Sequence, residues 1–184
     1  MARSLTEALE GEVTDVARRL LGWRLSTAVD GQTTEVRIVE TEAYAGDIDP
    51  ASHAFNGRTA RNAAMFGPPG NLYVYRSYGV HWCMNVVVGE IGIAHAVLLR
   101  GGEPSRGREI MEVRRDRTDH LSDGPGKLTR ALAVTGEHDG SSLESGPVRL
   151  VPDRLPGEYS VAATPRIGIS KAVERPWRFV ATRP

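Results

Sequence analysis

The sequence predicts an α+β fold, a single domain over residues 1–184 in which a largely antiparallel β-sheet is flanked by helices and extended by a protruding β-hairpin. Three observations carry this. Strand-like alternation dominates the middle of the chain, helical spacing lies beside it, and short turn signals at Asp30-Gly31 and Ser77-Tyr78-Gly79 join neighbouring strands. With 184 residues, 40% of them hydrophobic, and no low-complexity linker or internal repeat, the chain is long enough for one sizeable core.

Residues 5–21 have helical spacing, with Leu5, Leu9, Val13, Val16, Leu20 and Leu21 on one side and Gly22 as a stop. This predicts one packing helix. Residues 24–29 and 34–44 read as strands around the Asp30-Gly31 turn. Residues 46–57 form a loop, 61–66 hold one helical turn, and Gly67-Pro68-Pro69-Gly70 makes a rigid corner. The clearest β signal is residues 71–88, rich in Tyr, Val and Trp, with its tip at Ser77-Tyr78-Gly79. Residues 94–100 read as another strand and 109–117 and 127–134 as helices; 148–152, 166–170 and 177–181 read as short closing strands.

Net charge is zero, which excludes a protein that coats nucleic acid by bulk electrostatics and leaves only local patches as anchors. Arginine makes up 21 of the 23 basic residues, a bias that either favours bidentate phosphate contacts or reflects codon usage in a GC-rich genome, and it carries no functional weight. No apolar run approaches membrane-spanning length and no signal segment opens the chain, so a soluble cytoplasmic protein is expected. The lone Cys83, in an alternating run, offers neither a disulfide framework nor a cysteine metal site and is expected to be a buried small hydrophobe.

The chemistry concentrates in one contrast. Glu40 and Glu42 end an apolar strand, and residues 50–89 then contain no carboxylate, while seven of the eleven aromatic residues lie between Tyr44 and Trp82. An acid beside an acid-free, aromatic-rich stretch suggests an acid–base group next to a surface for planar, anionic ligands. On a regular strand Ile38, Glu40, Glu42 and Tyr44 share one face, which demands either a cleft over that face or a bulge that turns one or both acids out to solvent. Tyr73 and Tyr75 share a face of the next strand. Tyr78, beside Gly79 at the hairpin tip, is placed to wedge between stacked bases, or else to pack on its own hairpin as an ordinary turn residue. His53 lies in a loop without the spacing of a metal site, free to stack or hydrogen-bond, or without a role. Asp123-Gly124-Pro125-Gly126-Lys127 opens a helix that either holds a phosphate or is simply capped.

Together, residues 37–44, the His53 loop, Asn71-Leu72-Tyr73-Val74-Tyr75 through Tyr78-Gly79, Cys83-Met84-Asn85, Val97-Leu98-Leu99-Arg100, residues 124–128, 165–169 and 175–179 resemble the alkyladenine (3-methyladenine) DNA glycosylase family, in family order. The resemblance implies a curved sheet and a monofunctional enzyme that flips alkylated or deaminated purines, of the 3-methyladenine, 7-methylguanine, hypoxanthine and ethenoadenine class, out of duplex DNA. It implies Glu42 as the general base, with Arg100 and the backbone carbonyl of Ile167 holding the attacking water. Tyr44, His53 and Tyr75 would stack around the base, Asn85 would clash with the amino group of normal guanine, and Tyr78 would intercalate. Arg58, Arg61 and Lys127 are candidates for the DNA backbone.

No metal or cofactor is implied: a carboxylate activating water against an oxocarbenium-like transition state needs none. A lyase step would need an amine, and neither Lys lies in the segments that carry Glu42 or the hairpin aromatics, so simple hydrolysis to an abasic site is expected. The expected partner is damaged duplex DNA, bound by a monomer that associates with the nucleoid. Two departures stand near the expected DNA surface: His81 and Trp82 replace the Tyr and Phe of family members, and one residue is missing between Gly57 and Asn62. The chain also begins almost at its first helix, as a compact bacterial form would. An inactive reader of damaged or single-stranded nucleic acid would keep Tyr44 and Tyr78 without needing Glu42, and a hydrolase of free nucleosides would not need Tyr78.

Overall fold

In a computed structural model, which describes residues 4–184, the alternating segments form one antiparallel sheet of eight strands. They are β1 (Arg24–Val29), β2 (Gln32–Ala45), β3 (Leu72–Ser77), β4 (His81–Val88), β5 (His95–Arg106), β6 (Val148–Val151), β7 (Ser160–Thr164) and β8 (Arg178–Thr182). The order is β3-β4-β5-β2-β1-β6, with β8 added to β2 and β7 to β8. Four α-helices accompany it: α1 (Leu5–Ala8), α2 (Val13–Arg19), α3 (Arg108–Arg115) and α4 (Pro125–Ala131).

The single helix expected over residues 5–21 is two. Gly11 adopts φ +106°, a conformation that a helix cannot continue through, and the chain re-enters as α2. The apolar face survives the break, since Leu5, Leu9, Val13, Val16, Leu20 and Leu21 are all buried. At the start of α1 the Ser4 hydroxyl accepts from the Glu7 amide while the Glu7 carboxylate accepts from the Ser4 amide.

β2 organises the fold because it changes neighbours along its length. Its first half pairs with β1, as far as Arg37, whereas Glu40, Thr41 and Glu42 pair with Val180, Phe179 and Arg178 of β8. At the exchange the ladder to β5 slips between Ile38 and Glu40 and again between Glu40 and Thr41. The slip reverses the faces. Ile38 and then Ala43 and Ala45 belong to the main core, so Glu42 and Tyr44 project to the opposite side. The single row of Ile38, Glu40, Glu42 and Tyr44 is therefore corrected to two rows separated by bulges. Thr41, turned inward, donates its hydroxyl to the Ala17 carbonyl at 2.8 Å and ties β2 to α2.

The remaining expected elements form with one exception, and β7 is a strand the pattern did not predict. The hairpin β3–β4 closes through Tyr78-Gly79-Val80, and β5 runs six residues beyond Arg100 to Arg106. The strand expected over residues 166–170 does not form. The Ile167 amide is spent on a carboxylate, the Arg166 side chain enters the interior, and the pairing partner of β8 is instead β7. A second, smaller cluster of Ala54, Met65, Tyr73, Val87, Ala94 and Ala96 packs the 46–66 loop against the sheet. Among the described residues no helix is long and apolar enough to cross a membrane.

Candidate active site

Glu42 has no exposed surface, an unfavourable place for a carboxylate unless its oxygens are partnered. They are. Oε2 accepts the Tyr44 hydroxyl at 2.8 Å, and Oε1 accepts the Ile167 amide at 2.8 Å with the Arg100 Nε at 3.4 Å. Of the expected catalytic group, Glu42, Arg100 and Ile167 thus converge on one carboxylate, with Ile167 contributing its N–H to Glu42. Burial and then the charge and hydrogen bond of Glu42 push the Tyr44 phenol far above its usual range, so this hydroxyl stays a donor. Burial disfavours the Arg100 cation, but Glu42 and Glu40 more than offset it.

Tyr44, Ile167 and Arg100 form part of the wall of a cavity of about 650 Å³. The expected base-binding residues His53, Tyr75 and Asn85 line the same space, as do Arg61 and Tyr73. His53 meets Tyr75 edge-on with 4.4 Å between ring centroids, and its Nδ1 shares a 2.9 Å hydrogen bond with the Tyr73 hydroxyl. Partial burial and the nearby Arg61 cation lower the His53 pKa, which keeps the ring neutral at pH 7. The Asn85 side-chain amide donates to the Tyr73 carbonyl at 3.1 Å, which fixes its orientation. Burial also raises the thiol of Cys83, a buried residue as expected, yet one that lines the cavity beside Tyr75.

Tyr78 is 91% exposed at φ +49°, so it stands out from the hairpin at the mouth of the cavity instead of packing back on it. The three residues expected on the DNA backbone separate. Arg61 sits on the cavity rim and donates to the Arg76 carbonyl at 3.1 Å, whereas Arg58 lies over the Phe66 ring outside it. Lys127 borders a neighbouring depression behind the hairpin and pairs with Asp123 at 3.1 Å. The Gly124 turn thus leads into a helix whose first lysine is already partnered.

Sequence reasoning missed three contributions. Lys171 reaches the cavity rim, although its segment carries neither the acid nor the hairpin aromatics. Tyr73 and Cys83 are brought in by hairpin register, Tyr73 opposite Asn85 and Tyr75 opposite Cys83, a signal available once the tip is placed. Behind the wall, Arg166 makes a bidentate pair with Asp49 at 2.5 and 2.8 Å, both side chains fully buried. Its guanidinium lies 4.7 Å from the Tyr44 ring centroid and 5.1 Å from that of Trp177, and so backs the aromatic that faces the cavity. Among the described residues the buried Arg166 Nε has no partner. Among the described residues no three His, Cys, Asp or Glu side chains are gathered as a metal-binding group.

A family model described as "Methylpurine-DNA glycosylase (MPG)" matches residues 7–184. The chain belongs to the methylpurine-DNA glycosylase family. Membership places it among DNA glycosylases, hydrolases that act on N-glycosyl bonds. It is 54% identical over 168 residues to a protein of Agrobacterium fabrum, covering 90% of this chain and 81% of that one. It is 46% identical over 190 residues to a protein of Chlorobaculum parvum, covering 100% and 90% respectively. Both relatives bear the name "Putative 3-methyladenine DNA glycosylase".

Proposed function

We propose that this glycosylase removes alkylated or deaminated purines from duplex DNA by simple hydrolysis, with Glu42 as the base that deprotonates the attacking water. The observation that carries the reading is a single one. A fully buried carboxylate is held by a phenol, an amide and a guanidinium from three residues that line one aromatic cavity, and Tyr78 stands exposed at that cavity's mouth.

In this reading each step is assigned to a group. Tyr78 fills the space of the extruded nucleotide, and Tyr44, His53 and Tyr75 enclose the base. A neutral His53 adds no charge against an alkylated purine that already carries a positive one. Asn85, held by the Tyr73 carbonyl, excludes the 2-amino group of normal guanine. A cationic alkylated purine leaves with the bond's electron pair as a neutral base, a neutral deaminated one leaves as an anion that takes a proton from solvent, and water attacks the sugar carbon as Glu42 takes its proton. Arg100 and the Ile167 carbonyl hold that water. Because Glu42 is fully covered in the free protein, substrate binding has to open room for one water at its oxygens. No cofactor takes part, and the enzyme works as a monomer.

The test is incubation with duplex oligonucleotides bearing 3-methyladenine-like, hypoxanthine or ethenoadenine lesions, followed by alkaline cleavage. Abasic sites at the lesion are expected, and their absence from every duplex removes the proposal. Lys171 makes a second arm necessary. Borohydride added during turnover is expected to trap no covalent complex, whereas a trapped complex lost in Lys171→Ala would replace simple hydrolysis by a lyase.

A further inference from the structure

An arginine beside a catalytic base is a hazard as well as an aid. Its strongest available geometry is a two-point pair with the carboxylate, which would hold both oxygens and weaken the base. Arg100 does not adopt that geometry. Its Nε lies 2.9 Å from Glu40 Oε1 and only 3.4 Å from Glu42 Oε1. The same Glu40 oxygen receives the Arg178 Nε at 2.6 Å, while another Arg178 nitrogen is anchored on the Thr164 hydroxyl at 3.0 Å.

The fold makes room for this clasp. The ladder slip places Glu40 beside Glu42 and opposite Gly101, where a Cβ would come within 3.3 Å of the second Glu40 oxygen. Among the described residues the Arg100 side chain hydrogen-bonds only through Nε. Its two terminal nitrogens are therefore left for the cavity that Arg100 lines.

We propose that Glu40 is a positioning residue: clasped by Arg178, it holds Arg100 by one nitrogen, keeps it from closing on Glu42 and presents its terminal nitrogens to the cavity. This rests on the reading of Glu42 as the base. Two acids and two arginines make the cluster neutral, but the pairing is divided unequally. Glu40 takes the hydrogen bonds of both arginines, and Glu42 is left with a long contact to one.

The test is Glu40→Gln, which keeps the shape and removes the charge that draws Arg100 away. Single-turnover excision is expected to fall about tenfold or more, as misplacement of a reacting group does, with lesion-duplex affinity unchanged. Because an opposite charge brought closer favours the ionised carboxylate, the acid limb of the rate profile is expected to move about one pH unit lower. A crystal structure of the variant should show Arg100 making two hydrogen bonds of about 3 Å to Glu42.

Glu40→Asp keeps the charge but withdraws it by one methylene, so the same limb should move the same way with a smaller loss of rate. It carries the test if Glu40→Gln does not fold. Rates within about twofold of wild type in both variants, or a loss equal at every pH with Arg100 unmoved, overturn the proposal. If wild type excises nothing, the reading of Glu42 fails, and the position of Arg100 in the variant structure still decides whether the clasp exists.

Discussion

Two clusters of acids and arginines lie on either side of Tyr44, and they are built on opposite plans. In one, Asp49 and Arg166 face each other in a closed bidentate pair with no exposed surface, stacked between Tyr44 and Trp177. In the other, Glu40 and Glu42 share a single Arg100 nitrogen, and the guanidinium opens toward a cavity. A closed pair leaves no free carboxylate oxygen for substrate and serves the fold. The divided pair leaves hydrogen-bonding capacity beside a buried carboxylate, which is what proton abstraction requires. An open ion pair next to a cavity, more than burial or charge alone, separates the acid proposed as the base from the one that holds the wall.

The largest effect expected is on the open cluster. Glu42→Gln keeps the acceptor for the Ile167 amide but cannot take a proton, so single-turnover excision should fall about 10²–10⁴-fold with lesion binding retained. Full activity would merge the two clusters into one structural class. The closed cluster should answer in stability instead. Asp49→Asn leaves Arg166 buried and unpaired, a loss of about 3–5 kcal/mol measurable by urea denaturation at pH 7.

The pH dependence sharpens the same contrast. Burial would raise the Asp49 carboxyl, but the hydrogen bonds and charge of Arg166, with the Ala51 and Ala45 amides, hold it below the usual carboxylate range. A pKa depressed by folding gives stability that is present above the unfolded value of about 4 and is lost as pH falls through the folded value. Wild type should therefore lose stability below about pH 4, and Asp49→Asn should flatten that slope. An unchanged slope would dissociate the pair from acid unfolding.

Smaller effects belong to the cavity mouth. Tyr78→Ser should weaken binding to lesion duplexes about tenfold at matched salt, the scale of one lost stacking contact, and unchanged affinity would count against the wedge. The least effect should come from His53. Its pKa is lowered by partial burial and by Arg61, so a charged ring is disfavoured in the fold, and binding of a lesion duplex should weaken only below the unfolded value of about 6.5. His53→Gln should remove that dependence.

Local signals made most of the fold legible. The Asp30-Gly31 turn, the Tyr78-Gly79 tip and the apolar face of the N-terminal helices all depend on neighbours within a few positions, and all are found where the pattern placed them. What failed to show was set by distant partners. The two acids on an apolar row admitted a bulge, but the ladder slip depends on β2 exchanging β1 for β8, more than 130 residues away, and it leaves Glu42 buried where the expected bulge would expose it. The same holds for the lost strand at 166–170, whose backbone and side chain are claimed by Glu42 and Asp49. Gly11 was readable as a helix breaker, but the uninterrupted apolar spacing across it favoured continuity.

The site was legible in its aromatic and acidic members because the hairpin and the end of β2 carry most of them. Asp49, Arg166 and Lys171 were not, since they join the site only through packing of the loop at 46–57 against the one at 165–171.

The central claim is that a carboxylate outside any closed ion pair does the chemistry while one in a bidentate pair holds the fold. It is tested most directly by measuring excision rate and urea stability on Glu42→Gln and Asp49→Asn side by side. The expected result is a crossed pattern. Glu42→Gln loses excision and, because Arg100 keeps its pair with Glu40, loses less stability than Asp49→Asn. Asp49→Asn loses several kcal/mol yet excises at near wild-type rate at a temperature where it remains folded. Equal losses of activity and stability in both variants would contradict the account.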